Sequence, residues 1–174
     1  MTPSSQFVEL DKAIHNRKSF DCGTEELNLF LQQSAVRHRA AGISMTMVLP
    51  AKESKADICV YYTLSHTEIK RQTLPKSVAK KLPYYPLPVM LIAQLAVNKK
   101  VQSQGLAKIT LVRALQHAGE INEHLPSYAV VVDALGDQVQ GFYEQFGFAT
   151  LDTQGHRKRL YLPMQTVVQL FSEQ

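Results

Sequence analysis

An α/β (α+β) fold, with a mixed central sheet built around one β-α-β unit and flanked by helices, is predicted by three features of the 174-residue chain. Residues 89–97 form an almost wholly apolar run, as a strand covered on both faces does. A stripe at helical spacing follows it: Ala107, Leu111, Ala114, Leu115, Ala118 and Ile121. Residues 128–134 then give a second, valine-rich strand. Strand, crossover helix and strand in that order make a parallel pair.

The remaining elements follow from the same periodicities. Residues 7–10 read as a short strand, and Thr24, placed before Glu25 and Glu26 as an N-cap, opens a helix to about Arg39. Its buried stripe is Leu27, Phe30, Leu31 and Ala35. Gly42 breaks the helix, residues 43–49 alternate as a strand, and across a polar turn residues 58–69, rich in Val, Tyr and Thr, read as the return strand of a hairpin. Residues 77–82 suit a short basic helix, and Pro83, Pro86 and Pro88 punctuate the loop before the central strand. After the second central strand, Gly136 leads into a helix over residues 137–146. Short strands at 148–151 and 158–163 and a terminal helix at 164–171 complete a single domain, residues 1–174.

Composition excludes several classes. Hydrophobic residues make up 45% and charged residues 20%, the proportions of an ordinary globular protein rather than a disordered or fibrous one. No apolar run reaches the length of a membrane span and residues 1–10 carry no signal-peptide pattern, so the sequence predicts a cytoplasmic protein with no membrane partner. Cys22 and Cys59 lie far apart and read as free thiols. The histidines, at positions 15, 38, 66, 117, 124 and 156, show no paired ligand spacing, and no metal is expected. The net charge of +4 is unevenly placed. Between Ile69 and Glu120 there is no acid, while Lys70, Arg71, Lys76, Lys80, Lys81, Lys99, Lys100, Lys108 and Arg113 all fall inside. His156-Arg157-Lys158-Arg159 adds a second basic knot. A solvated surface is the commonest reason for such runs; an acid-free stretch this long also suits a phosphate-rich partner, coenzyme or RNA.

The turn between the central strand and its helix carries the strongest chemical signal. Leu95-Ala96-Val97 ends the strand, Lys99 and Lys100 make the turn basic, and Gln102, Ser103, Gln104, Gly105, Leu106, Ala107 and Lys108 open the helix. The unpaired amides of a first helical turn, with the helix dipole behind them, attract an anion. A second constellation is Gly141-Phe142-Tyr143-Glu144-Gln145-Phe146-Gly147-Phe148. A helix sets Phe142 and Phe146 on one face, so they are expected to anchor it while Tyr143 presents its hydroxyl at a cleft edge. A tyrosine buried for packing is the alternative these residues leave open.

Gln102-x-x-Gly105-x-Ala107 resembles the pyrophosphate-binding signature of the GNAT acetyltransferase superfamily, and Phe142-Tyr143 with Phe146-Gly147-Phe148 resembles its C-terminal half. Phe20-Asp21-Cys22-Gly23, Glu26-Leu27-Asn28-Leu29-Phe30-Leu31, Tyr61-Tyr62-Thr63-Leu64-Ser65, Leu82-Pro83, Pro86-Leu87-Pro88-Val89 and Leu160-Tyr161-Leu162-Pro163-Met164 extend the likeness over the whole chain, to the bacterial GNAT toxins. The resemblance implies a GNAT fold with a β-α-β acetyl-CoA-binding core, and a toxin that acetylates the α-amine of aminoacyl-tRNA and blocks translation. It also implies a ribbon-helix-helix antitoxin as partner and a homodimer. Carried over by position, Leu95, Ala96 and Val97 would line the pantetheine arm, and Gln102, Ser103, Gln104, Gly105, Leu106, Ala107 and Lys108 would surround the pyrophosphate. A backbone amide near Val97 would face the oxyanion, Tyr143 would protonate the leaving thiolate, and Lys80, Lys81, Lys99 and Lys100 would meet the tRNA.

The implied chemistry is coherent. An α-amine titrates at about 7.7 to 8.0, against about 10.4 for lysine, and an ester on the neighbouring carboxyl lowers it further, so the acceptor needs no strong base. Asp133 and Glu144 remain candidates if one is used. Two departures stand out: Ala107 replaces the commoner final glycine, and Gln94 stands where the toxins often carry arginine. Two other functions stay open at this stage. One is a GNAT enzyme acting on a small amine or a protein N-terminus; the other is a non-catalytic regulator that binds coenzyme A or RNA.

Overall fold

The computed structural model describes residues 1–151 and 158–172. Its strands are β1 (Val8–Glu9), β2 (Ser44–Pro50), β3 (Ile58–Ile69), β4 (Leu87–Val97), β5 (Ala129–Ala134), β6 (Ala149–Thr150) and β7 (Lys158–Pro163). They form one seven-stranded sheet in the order β1-β2-β3-β4-β5-β7-β6. β1, β2 and β3 pair antiparallel, as do β5, β6 and β7, while β4 and β5 are parallel from Val89↔Ala129 to Ile92↔Val132. The helices are α1 (Glu25–Leu29), α2 (Ala35–Ala40), α3 (Lys76–Ala79), α4 (Leu106–Asn122), α5 (Asp137–Glu144) and α6 (Met164–Ser172). β4, α4 and β5 are the expected β-α-β unit.

The chain divides into two compact units, residues 1–65 with 93–114 and residues 66–92 with 115–174. In the first, Phe20, Leu31, Ala35, Val48, Ile58, Tyr61 and Ala96 close one apolar cluster. Leu49, Ala51, Cys59, Val60, Val101 and Leu106 close another. In the second, Ile69, Leu74, Leu87, Val89, Ala129, Val131, Leu151 and Tyr161 pack together. The valines of β5 are buried, as are Leu87, Val89, Met90, Ile92 and Ala96 of β4, while Leu91, Ala93, Leu95 and Val97 are only half-buried. Among the described residues no helix is long and apolar enough to cross a membrane.

Three local expectations are corrected. Thr24 occupies the N-cap position of α1 but its side chain makes no capping bond; its carbonyl instead accepts from the Asn28 amide at 3.1 Å. The helix expected to run unbroken to Arg39 is interrupted by a π turn, Phe30–Ser34. Just ahead of it the buried Tyr61 hydroxyl donates to the Leu27 carbonyl at 2.7 Å, and a side chain inserted into a helix ladder is a recognised cause of such distortion. On α4 the buried stripe is Leu106, Thr110, Leu111, Ala114, Leu115 and Ala118, with Ala107 and Ile121 only half-buried. The Thr110 hydroxyl is accommodated there by donating to the Leu106 carbonyl at 2.6 Å.

Candidate active site

The loop between β4 and α4 is braced at both ends. Asn98 is buried; its Nδ2 donates to the Ile58 carbonyl at 3.0 Å and its Oδ1 accepts from the Lys100 amide at 3.1 Å. The Asn98 amide donates to Cys59 and the Lys99 amide to Asp21, both at 2.8 Å. The Gln102 side-chain amide donates to the carbonyls of Cys22 and Val97, each at 2.9 Å. Gln102 therefore ties the 20–24 segment and the end of β4 to the loop, a brace rather than an open ligand. The Lys99 ammonium lies 3.2 Å from the Asp21 carboxylate. Lys100, Lys108, Ser103 and Gln104 are exposed.

Past Gln102 the backbone turns left-handed twice, at Ser103 (φ +66°) and Gly105 (φ +77°), immediately before the 17-residue α4. Such alternation forms a concave nest of amides at a helix start, where the dipole is also positive. Nothing lies within 4 Å of a Cβ built on Gly105, so there is open space above the turn. Ser103 in this region is uncommon for a residue with a side chain, and strain of that kind concentrates at functional sites. The nest, the exposed Lys108 and the open space fit a diphosphate. The glycine was legible in the sequence; the left-handed Ser103 was not, because nothing in its residue type announces it.

The Tyr143 helix reverses the expected division of labour. Tyr143 is the buried residue, 7% exposed, while Phe142 and Phe146 are half-buried. Its ring sits 5.3 Å from Phe142 and 5.5 Å from Phe148, and Phe142 lies 5.4 Å from Phe146. The aromatic cluster grips Tyr143 from both sides, so the tyrosine is the anchor. Gly147, at φ +95°, ends the helix in the left-handed conformation as expected, its amide donating to Glu144 at 3.0 Å. Burial first, and then the nearby Asp133 charge, push the Tyr143 phenol up to about 12. The phenol is thus protonated at neutral pH, the state a proton donor must hold.

Asp133 and Arg159 face each other across β5 and β7 and join at two points, Nε to Oδ1 at 2.7 Å and NH2 to Oδ2 at 3.1 Å. The pair raises the Arg159 pKa above its usual value. Both carboxylate oxygens of Asp133 are engaged, which removes it as an unencumbered base, and Arg159 is withdrawn from the basic knot expected to meet a polyanion. Lys158 approaches exposed Asp137 at 3.7 Å; His156 and Arg157 lie outside the described residues. Glu144 is exposed and accepts from Gln140 at 2.7 Å. Gln94 Oε1 is buried with no hydrogen-bond partner among the described residues, a feature the sequence marked only as a departure. Lys80 and Lys81 are exposed after α3. Among the described residues no group of three or more His, Cys, Asp and Glu is placed to hold a metal.

The acetyltransferase (GNAT) domain model matches residues 89–168, from β4 into α6. This chain contains a GNAT acetyltransferase domain. The GNAT chain is 28% identical over 130 residues to the tRNA-acetylating toxin of Mycobacterium tuberculosis (strain ATCC 25618 / H37Rv), covering 75% of this chain and 76% of that one. It superposes on AtaT complexed with acetyl-methionyl-tRNAfMet with a TM-score of 0.86 and 28% identity, over 95% of this chain and 98% of AtaT. Its match to AtaTR bound with AcCoA has a TM-score of 0.82 and 29% identity, over 95% and 97% of the two chains. The GNAT chain is homologous to these toxins.

Proposed function

We propose that this GNAT protein is the toxin of a toxin-antitoxin pair, transferring acetyl from acetyl-CoA to the free α-amine of aminoacyl-tRNA and so blocking translation. The observation that carries the reading is the likeness, over 95% of the chain, to a toxin solved with an acetylated aminoacyl-tRNA. In this reading the nest at Ser103, Gln104 and Gly105 holds the pyrophosphate of acetyl-CoA together with the first-turn amides at Leu106, Ala107 and Lys108. The edge of β4 at Leu95, Ala96 and Val97 holds the pantetheine arm. Gln102 acts by fixing the loop. The amides at Asn98, Lys99, Lys100 and Val101 already have acceptors, so the oxyanion donor is a backbone amide near Val97 other than these.

The acceptor amine loses its proton near neutrality without help, attacks the thioester carbonyl and displaces the thiolate of coenzyme A. Tyr143, kept protonated by its surroundings, donates to that thiolate. Lys80, Lys81 and Lys100 contribute phosphate contacts; Lys99 does so only by loosening its contact with Asp21. We further propose that residues 1–174 work as one acetyltransferase domain, that the partner antitoxin is of the ribbon-helix-helix type, and that the toxin acts as a homodimer in the cytoplasm.

Cell-free translation tests the reading. The protein should halt translation only when acetyl-CoA is supplied, and fresh charged tRNA should restore synthesis once the protein is removed. Inhibition that persists without acetyl-CoA would contradict it.

A further inference from the structure

Tyr84 is 88% exposed and Tyr85 66% exposed, although folding ordinarily removes large rings from water. Tyr84 is nonetheless held. The Arg71 guanidinium carbon sits 4.0 Å from the centre of its ring, and Arg71 Nε donates to the Ala79 carbonyl at the end of α3. One face of the ring is thus backed by a cation that is itself fixed, and the ring keeps most of its surface for a ligand. Pro83 and Pro86 flank the two tyrosines and restrict the backbone that presents them.

The chain segment that carries this pair is basic. Lys76, Lys80 and Lys81 are exposed on the same 66–92 segment, and no acid occurs from residue 70 to 119. A flat π surface backed by arginine and bordered by lysines has the chemistry of single-stranded nucleic-acid sites, where bases stack and ammonium groups neutralise phosphates. Paired nucleotides do not offer their base faces. The unpaired nucleotides at the 3′ end of a tRNA do, and the amino acid is attached to the last of them.

We propose that Tyr84 and Tyr85 form a stacking platform for the unpaired 3′-terminal bases of tRNA, with Lys76, Lys80 and Lys81 contacting the adjoining phosphates. The proposal rests on the aminoacyl-tRNA reading above.

Binding of labelled deacylated tRNA, intact and with its unpaired 3′ nucleotides removed, tests it on the full-length protein. Tyr84→Ala/Tyr85→Ala should weaken intact tRNA by about 10- to 100-fold, leave the salt dependence unchanged because no charge is lost, and leave the truncated RNA bound as before. Tyr84→Phe/Tyr85→Phe should retain the affinity. Ultraviolet crosslinking of the unmodified protein to intact tRNA should place the 3′ nucleotides on Tyr84 or Tyr85, and this needs no variant to fold. Unchanged affinity in the alanine pair, or equal loss on both RNAs, would overturn the platform. So would an alanine pair that binds tRNA normally but escapes its antitoxin, which would make the tyrosines a protein-docking surface. If the unmodified protein acetylates charged tRNA while the alanine pair does so equally well, only the platform fails. If it neither binds nor acetylates charged tRNA, the functional reading fails and the platform with it.

Discussion

Arg159 holds Asp133 at two points, 2.7 and 3.1 Å, and the carboxylate so held is the second reason, after burial, that Tyr143 keeps its proton. Replacing Asp133 by Asn leaves a half-buried guanidinium without its counter-charge, a loss of about 2 kcal/mol in stability. It also lets the Tyr143 phenol fall from about 12 toward its ordinary value. Burial, the larger cause, remains, so the phenol stays protonated at neutral pH. Asp133→Asn should therefore reduce denaturant stability clearly and kcat only modestly; the reverse pattern would make Asp133 a catalytic group.

Tyr143→Phe removes one hydroxyl and keeps the ring between Phe142 and Phe148. The variant should fold with stability within about 1 kcal/mol of the parent, bind coenzyme A equally, and lose transfer by about 100-fold or more. Calorimetry of donor binding beside single-turnover kinetics separates these.

Gly105 and Gly119 should respond oppositely to alanine. At Gly105 the new methyl has open space, yet φ is +77°, so the cost of about 1 kcal/mol is one of backbone conformation and should appear as weaker coenzyme A binding. At Gly119, inside α4, the methyl meets Val167 at an ordinary 3.9 Å. Alanine there should raise stability by about 0.5 to 1 kcal/mol. Thermal melts with and without coenzyme A read both.

His15 is buried, accepts the Asp11 amide on Nδ1 at 2.9 Å, and has its pKa lowered from 6.5, chiefly by burial. The unfolded chain then binds the proton more readily than the folded one. Stability contributed by neutral His15 is present above about pH 6.5 and declines as the pH falls toward the lowered folded-state value. His15→Gln should flatten the melting-temperature profile between about pH 7 and 5.

Lys80→Glu/Lys81→Glu should weaken tRNA binding and make the dependence of log K on log salt shallower by about 1 to 2. Donor affinity should be unchanged. If donor binding falls instead, these lysines belong to the coenzyme site.

Strands marked by local composition were legible in the sequence: β3, rich in Val, Tyr and Thr, and β7 begin and end where the sequence places them. What escaped depends on partners distant in sequence. A helical wheel sets the angle between Tyr143 and its two phenylalanines but does not say which of them turns inward. That is decided by Phe148 and the sheet. The π turn depends on the Tyr61 hydroxyl, 34 residues from Leu27. The Asp133–Arg159 pair depends on the β5–β7 register, which makes opposite charges direct cross-strand neighbours. In the loop between β4 and α4, the turn at Gly105 and the exposure of Lys99 and Lys100 follow from residue type alone. The role of Gln102 does not, because its acceptors at Cys22 and Val97 become visible only once the chain is folded.

The most direct measurement is transfer of labelled acetyl from acetyl-CoA to a total pool of charged tRNA, with deacylated tRNA, free amino acids, small amines and peptide N-termini run in parallel. The account predicts label on charged tRNA alone, recovered as N-acetyl-aminoacyl-tRNA. Label on small amines or peptide N-termini with none on charged tRNA, or no transfer at all while coenzyme A still binds, would contradict it.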